Sequence, residues 1–425
     1  MKKGLQILRR LNSHPLIDVL IHLKGNPGVC VFIEPLWGIP FNLIAPFATV
    51  YMYALGVTDV QIGLIASIAM VIQLIFSFLG GTIADKIGRK NTTMLGDMLG
   101  WSVACFVWAI SQNFWFFLIA SALNAFEQIN QTAWTCLLIE DADKKQVVSI
   151  YTWITIAGLM AVFFAPVSGL LIGNFTLVPV MRILYFIFSA AMIVKTIITY
   201  KCTTETKQGY IRMQETKNTS FLKLLMGYKA LIPKIFNNRS TMQTLVVMTV
   251  IFITNISSNN FFGLYATEAL GLPEGYLAYF PIFRAVVMII FLFIIQHKIH
   301  TIRVPMQVGF IAYIVAQALL ILSPIGQPVF IVVFIILEAV AYGLVMPRKD
   351  AMVTNNVDPH ERARIVALLT TFMITLSAPF GYVAGLFSSI DRRLVFALNI
   401  VFFLTALITV SLIKEKPQDK KLQSL

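Results

Sequence analysis

The chain has 425 residues, 58% of them hydrophobic and 12% charged, with 33 Lys and Arg against 20 Asp and Glu. A soluble domain carries roughly 25% charged residues, so this composition excludes a single aqueous core and requires lipid as the main solvent. The formal net charge of +13 would suit a nucleic-acid binder, but its distribution along the chain points elsewhere.

In chain order, residues 1–27 form a basic cytoplasmic segment in which Leu5, Leu8 and Leu11 alternate with Lys2, Lys3, Arg9 and Arg10. That pattern suits an amphipathic stretch on the inner leaflet. The first apolar run starts too late and is too long for a signal peptide. A spanning helix needs about 20 apolar residues, and runs of that length fall at about 28–54, 58–84, 92–111, 114–139, 147–173 and 178–200, within roughly 2–4 residues. A polar linker at 201–240 follows, with Lys207 and Arg212 among its cations. It reads as a cytoplasmic tether with helical pieces around 221–235 and no catalytic chemistry. Six more runs lie at about 241–267, 274–298, 303–323, 327–348, 362–387 and 393–414, and 415–425 is a cytoplasmic tail. Backbone groups in hydrocarbon must be satisfied within each segment, so the expectation is an all-α polytopic membrane protein with twelve transmembrane helices. These are spans 1–12.

Apart from Arg182, Arg284, Arg392 and Arg393, the cations map to the termini, the linker, the even-to-odd loops and adjoining helix ends. This is the positive-inside asymmetry. It places both termini in the cytoplasm of a multi-pass plasma-membrane protein and removes the case for a nucleic-acid partner. Cys30, Cys105, Cys136 and Cys202 have neither disulfide nor metal-site spacing. All five histidines fall on cytoplasmic segments, so no histidine relay inside the membrane is expected. No P-loop, metal cage or nucleophile–base pair occurs, and neither an enzyme nor a cofactor is expected.

Between spans 2 and 3 lies Gly81-Thr-Ile-Ala-Asp85-Lys86-Ile-Gly88-Arg89-Lys90. It resembles the signature of the major facilitator superfamily, G-x-x-x-D-[RK]-x-G-[RK]-[RK], with every defining position filled. The resemblance implies two pseudo-symmetric six-helix bundles, 28–200 and 241–414, joined by the linker. The two halves also share a local pattern. Asp141-Ala-Asp143-Lys144-Lys145 precedes Ala165-Pro166-Val-Ser168-Gly169, as Asn356-Val-Asp358-Pro-His-Glu361-Arg362 precedes Ser377-Ala378-Pro379-Phe380-Gly381. Physically, Gly81 permits close approach of a neighbouring helix, and Asp85 can accept hydrogen bonds from a helix N-terminus. The resemblance implies that this N-terminus is the start of span 11 and that the contact latches a cytoplasmic gate. Arg89 and Lys90 would then pair with Glu140, Asp141 or Asp143. Two other family patterns are incomplete. Asn124-Ala-Phe-Glu127-Gln128 lacks the span-4 arginine of many proton-coupled members, and Ala165-Pro166-Val-Ser168-Gly169-Leu170 only partly matches the exporter pattern.

An ionisable residue inside a span marks a functional candidate. Glu127, Arg284 and Glu338 lie roughly 15–21 Å into their spans at 1.5 Å per residue. Glu34 lies in span 1, either in the cavity or near the cytoplasmic mouth. Glu127, Glu34 and Glu338 are the proton-coupling candidates. Arg284 can pair with Glu127 or hold an anionic substrate. Asn124, Gln128, Gln131 and Trp134 form a polar stripe on span 4 with Glu127, and Asn255 and Asn259 repeat it on span 7. Tyr342 follows Glu338 by one turn. Trp37, Trp134 and Trp153 either line a cavity or pack in the core. The expected function is secondary transport of a small polar solute, proton-coupled and sugar-like, by a monomer working through alternating access. Alternatives are a drug or amphiphile exporter and a non-transporting receptor.

Overall fold

The computed structural model describes residues 23–143, 146–216, 232–294, 301–355 and 362–413. The N-terminal amphipathic segment, the five histidines, Lys144 and Lys145, most of 221–235, the 356–361 turn and the tail lie outside the described residues. Among the described residues every regular element is helical.

Span 1 is three consecutive helices, α1 (Gly25–Ile33), α2 (Pro35–Ile44) and, after a 3-10 turn at Ala45–Phe47, α3 (Ala48–Ala54). Pro35 at the start of α2 and Pro40 within it each lack an N–H, which interrupts the ladder. The long helix α4 (Asp59–Ile87) starts at a capping box: Thr58 Oγ1 accepts from Gln61 N and Gln61 Oε1 accepts from Thr58 N. It stops at Gly88, whose φ of 91° and ψ of 160° are essentially restricted to glycine. Span 3 comprises α5 (Arg89–Asp97), a π-helical turn at Met98–Val103 and α6 (Ala104–Ala109). Span 4 is broken at Ala125–Phe126 into α7 (Phe114–Asn124) and α8 (Glu127–Ile139). Then come α9 (Val147–Val162), α10 (Ala165–Asn174), α11 (Leu177–Cys202) and the linker helix α12 (Lys207–Thr216).

After α13 (Ile232–Asn237), Asn238 Oδ1 caps α14 (Arg239–Leu264) by accepting from Ser240 N and Thr241 N. A π-helical turn at Tyr265–Ala269 and a 3-10 helix at Glu274–Ala278 lead into α15 (Phe280–Ile294). The remaining helices are α16 (Arg303–Ile321), α17 (Pro328–Asn355), α18 (Arg362–Ile390) and α19 (Arg393–Ser411). Nine helical segments among the described residues are long and apolar enough to cross a membrane. Spans 3, 4 and 8 of the expected twelve are not among them.

The chain divides into two compact units: Met1–Leu225 with Pro273–Ile282, and Met226–Leu272 with Phe283–Leu425. In the first unit, helices close on one another where side chains are missing. A Cβ on Gly96 would collide with Asn130 Cβ, and one on Gly100 would lie 2.9 Å from Glu127 N. This Gly-x-x-x-Gly face seats span 3 against α8. The close approach expected at Gly81 falls one residue earlier. A Cβ on Gly80 would lie 3.1 Å from Ile129 Cα, whereas Gly81 has no heavy atom of the described residues within 4 Å. Gly169 of the partial exporter pattern packs against the 3-10 turn, its added Cβ 2.5 Å from the Gly275 carbonyl oxygen. In the second unit, Phe310, Tyr313, Val345 and Phe403 centre a buried cluster, with the Tyr313 and Phe403 rings stacked at 4.5 Å.

Candidate functional site

The Gly81–Lys90 motif is the foundation of a polar network between the end of span 2 and the start of span 3. Arg89 is buried, and its Nη1 donates to Asp85 Oδ1 at 2.7 Å and to the Ala84 carbonyl at 3.0 Å. Its Nε lies 3.4 Å from Glu140 Oε1, the partner expected from sequence. Burial works against the Arg89 charge, but the Asp85 hydrogen bond and the Glu140 and Asp85 charges outweigh it and hold its pKa above the ordinary value. Lys90 does not take the expected carboxylate. Its ammonium sits over the Tyr200 ring, 4.8 Å from the centroid.

The linker, read from sequence as a tether without catalytic chemistry, supplies the rest of this network. Glu205 accepts from Arg89 N at 2.9 Å and from Lys90 N at 3.1 Å, so a carboxylate caps the N-terminus of α5. A Cβ on Gly88 would collide with Glu205 Oε2, which requires glycine there for space as well as for backbone conformation. Thr206 Oγ1 donates to Glu140 Oε2, and Lys207 N donates to Asp141 Oδ1 at 3.3 Å. Arg212 Nη2 donates to Asp85 Oδ2 at 3.2 Å, and Thr216 Oγ1 donates to the Asp85 carbonyl at 3.0 Å. The Glu215 hydrogen bond first, and then Asp85, raise the Arg212 pKa. Asp85 thus has Arg89 on one oxygen and Arg212 on the other. Asn26 exchanges two hydrogen bonds with the Thr204 backbone, at 2.8 and 2.9 Å, joining the start of span 1 to the same segment.

Deeper in the first unit is a charged cluster that sequence reading missed in part. Lys195 of α11, counted there among helix-end cations, is 4% exposed, and Asp97 of α5 is 1% exposed. Lys195 Nζ is 3.2 Å from Asp97 Oδ2, an ion pair by distance whose geometry falls outside that of a hydrogen bond. Asn130 Nδ2 donates to Asp97 Oδ1 at 2.6 Å. Glu34, at the α1–α2 junction, and Glu127, at the first position of α8, both lie within coulombic reach of Lys195 and Asp97. Three carboxylates from three spans therefore lie within coulombic range of one ammonium.

Within the span-4 stripe, Asn124 and Trp134 make contacts inside the first unit. Asn124 Nδ2 donates to the Gly100 carbonyl at 2.8 Å, beside the π-helical turn where Ser189 Oγ donates to the Ser102 carbonyl at 2.8 Å. Trp134 and Trp153, both partly buried, pack against a core of Cys30, Val31, Leu137, Leu138 and Ile150. Gln128 is half-buried and Gln131 exposed. Trp37 stacks on Phe41 at 4.9 Å and meets Trp101 edge-on at 5.6 Å.

In the second unit Arg284 pairs with Glu338 rather than with Glu127: Nη1 is 3.7 Å from Glu338 Oε2. The guanidinium lies over the Tyr342 ring at 5.1 Å. On α14, Asn255 is half-buried and Asn259 exposed, while Ser258 accepts from Asn399 Nδ2 at 3.4 Å. Among the described residues no group of three or more His, Cys, Asp or Glu is placed to hold a metal ion.

Long apolar helices closed by glycine faces, with charged side chains enclosed among them, define a multi-pass helical membrane protein. The family model described as Major Facilitator Superfamily matches residues 36–381 and 298–424, and the chain belongs to that superfamily, whose members are transporters rather than enzymes. It is 31% identical over 135 residues to the uncharacterized MFS-type transporter YqjV of Bacillus subtilis (strain 168), covering 31% of this chain and 33% of YqjV. It is 36% identical over 111 residues to the multidrug resistance protein MdtG of Salmonella arizonae, covering 25% of this chain and 27% of MdtG. The matched region thus spans about a third or less of the length of these curated relatives. Among solved structures, the nucleoside transporter NupG superposes with a TM-score of 0.69 at 16% identity, covering 92% of this chain and 100% of NupG. A bacterial homolog of the human lysosomal transporter Spinster, inward-facing and occupied, gives 0.66 at 14%, covering 90% and 95%. At such identities the likeness is one of fold.

Proposed function

We propose that this chain is a proton-coupled secondary transporter of a small organic solute, with its proton site in the Glu34–Asp97–Glu127–Lys195 cluster. The observation that carries this reading is the charge count at that site. With every group ionised, three carboxylates face one ammonium, leaving two negative charges in excess where hydrocarbon makes each costly. A proton on Glu34 or Glu127 relieves that excess without dismantling the Asp97–Lys195 pair. Loading and release of such a proton is what coupling requires. Glu338, in the second unit, lies 3.7 Å from Arg284 Nη1.

The protein is a monomer of two six-helix bundles with both termini cytoplasmic, and it works by alternating access. The Asp85–Arg89–Glu140 network with Glu205 and Arg212 is its cytoplasmic gate. Gln128 and Gln131 in the first unit, and Asn255 and Asn259 in the second, are each candidate amides for a hydroxylated, sugar-like solute. A second reading, drug or amphiphile export, is favoured by the 111-residue match to MdtG, a multidrug resistance protein.

Proteoliposomes with an imposed pH gradient separate the two. Accumulation of labelled hexose along the proton flow supports uptake, and ethidium moving against the proton flow supports export. Solute exchange that ignores the gradient sinks proton coupling.

A further inference from the structure

Arg284 is a cation whose hydrogen-bonding capacity is unused. A guanidinium offers five N–H donors in a planar fork suited to carboxylate. Among the described residues none of the five makes a hydrogen bond. The nearest carboxylate oxygen, Glu338 Oε2, stands 3.7 Å away, beyond hydrogen-bond range. The Arg284 side chain is 31% exposed and Glu338 12% exposed. The fork is therefore reachable while its counter-ion is nearly enclosed. The Tyr342 ring lies 5.1 Å from the guanidinium carbon and offers an aromatic surface beside it. Tyr313 faces the same pair from α16 and is held in place by its stack on Phe403.

We propose that Arg284 is the docking point for the carboxylate of an organic anion, and that its arrival is linked to proton uptake by Glu338. As it stands, Arg284 and Glu338 sum to zero charge. An incoming carboxylate takes the fork in a bidentate pair and makes the sum −1. One proton from solvent on a Glu338 carboxylate oxygen returns the sum to zero, so the anion and one proton enter together. The groups facing Glu338 are Arg284 from α15, Tyr313 from α16 and Tyr342 one turn along α17. The helix α14 also packs against α17 and carries no titratable side chain beyond Arg239. Among the described residues of these helices, the arginine is the one charge facing the glutamate. This inference rests on the transporter reading but not on its proton site, which belongs to the other unit. It fixes a chemical class, a monocarboxylate on a sugar or aromatic body, within either substrate reading.

The test uses the purified full-length chain and pairs of probes differing by one charge: glucuronate with glucose, benzoate with benzamide, and N-acetylphenylalanine with its amide. Calorimetric titration in two buffers of different ionisation enthalpy reads affinity and proton uptake together. The expected result is at least one anion bound about tenfold or more tighter than its neutral partner, the scale of a charge-assisted pair, with net proton uptake. Glu338→Gln should keep anion preference and lose proton uptake. Arg284→Gln/Glu338→Gln leaves no orphan charge to unfold the bundle, and it should lose the preference while eluting as a monodisperse protein. Equal affinity within every pair, no binding by any of the anions, or undiminished preference in the double variant overturns the inference. A pH-gradient effect that depends on Glu127 would survive that failure.

Discussion

Lys195 keeps a charge in an apolar bundle because Asp97 stands 3.2 Å away and Asn130 fixes the other Asp97 oxygen at 2.6 Å. Removing one member of a buried pair leaves the other unpaired at a cost of about 3–5 kcal/mol, while replacing both by neutral groups of similar volume is often close to neutral. Asp97→Asn alone should therefore lower the melting temperature of the purified protein markedly, and Asp97→Asn/Lys195→Met should recover most of the loss. A double variant as unstable as the sum of the singles would show that the two residues do not act as a pair. Neither residue was legible as a site in the sequence. Asp97 follows the span-3 start too closely to read as membrane-embedded, Lys195 looks like a snorkelling helix-end cation, and 98 residues separate them.

At the scale of elements, the segment from Thr203 to Thr216 lies across one end of spans 1, 2, 3 and 4 through Asn26, Asp85, Arg89, Glu140 and Asp141. Glu205 is its central contact, accepting from both Arg89 N and Lys90 N. Glu205→Ala should speed amide hydrogen exchange at Arg89, Lys90 and Thr206, and unchanged exchange there would remove Glu205 from the network. Gly88→Ala should act the same way, because a side chain at that φ and ψ costs of order 1–3 kcal/mol and meets Glu205 besides. The Arg89–Glu140 contact is anticipated by the sequence motif, which assigns Asp85 to the start of span 11 rather than to Arg89, one helical turn away. The linker contacts were invisible, since Glu205 meets Arg89 across 116 positions and nothing in its neighbourhood separates it from a solvated charge. Amides at helical spacing look alike whether they face a solute or, as with Asn124, a carbonyl freed by a π-helical turn in the next helix.

At the scale of the whole molecule, hydropathy and charge bias made the membrane-spanning helical class plain, and the motif made the family plain. Orientation carries its own check. Cys202 is exposed at the end of α11, whereas Cys30 and Cys105 are buried. An impermeant maleimide should label Cys202 in inside-out vesicles and not in intact cells, and labelling from outside would reverse the topology. The central claim is that the carboxylates around Lys195 carry the coupling proton. Its most direct test is Glu127→Gln, an amide that stands in for the protonated carboxyl, assayed in proteoliposomes for the wild-type solute. The variant should lose pH-gradient-driven accumulation while retaining counterflow exchange at a rate close to wild type. Uphill, gradient-driven accumulation persisting in the Glu127→Gln protein would contradict the account.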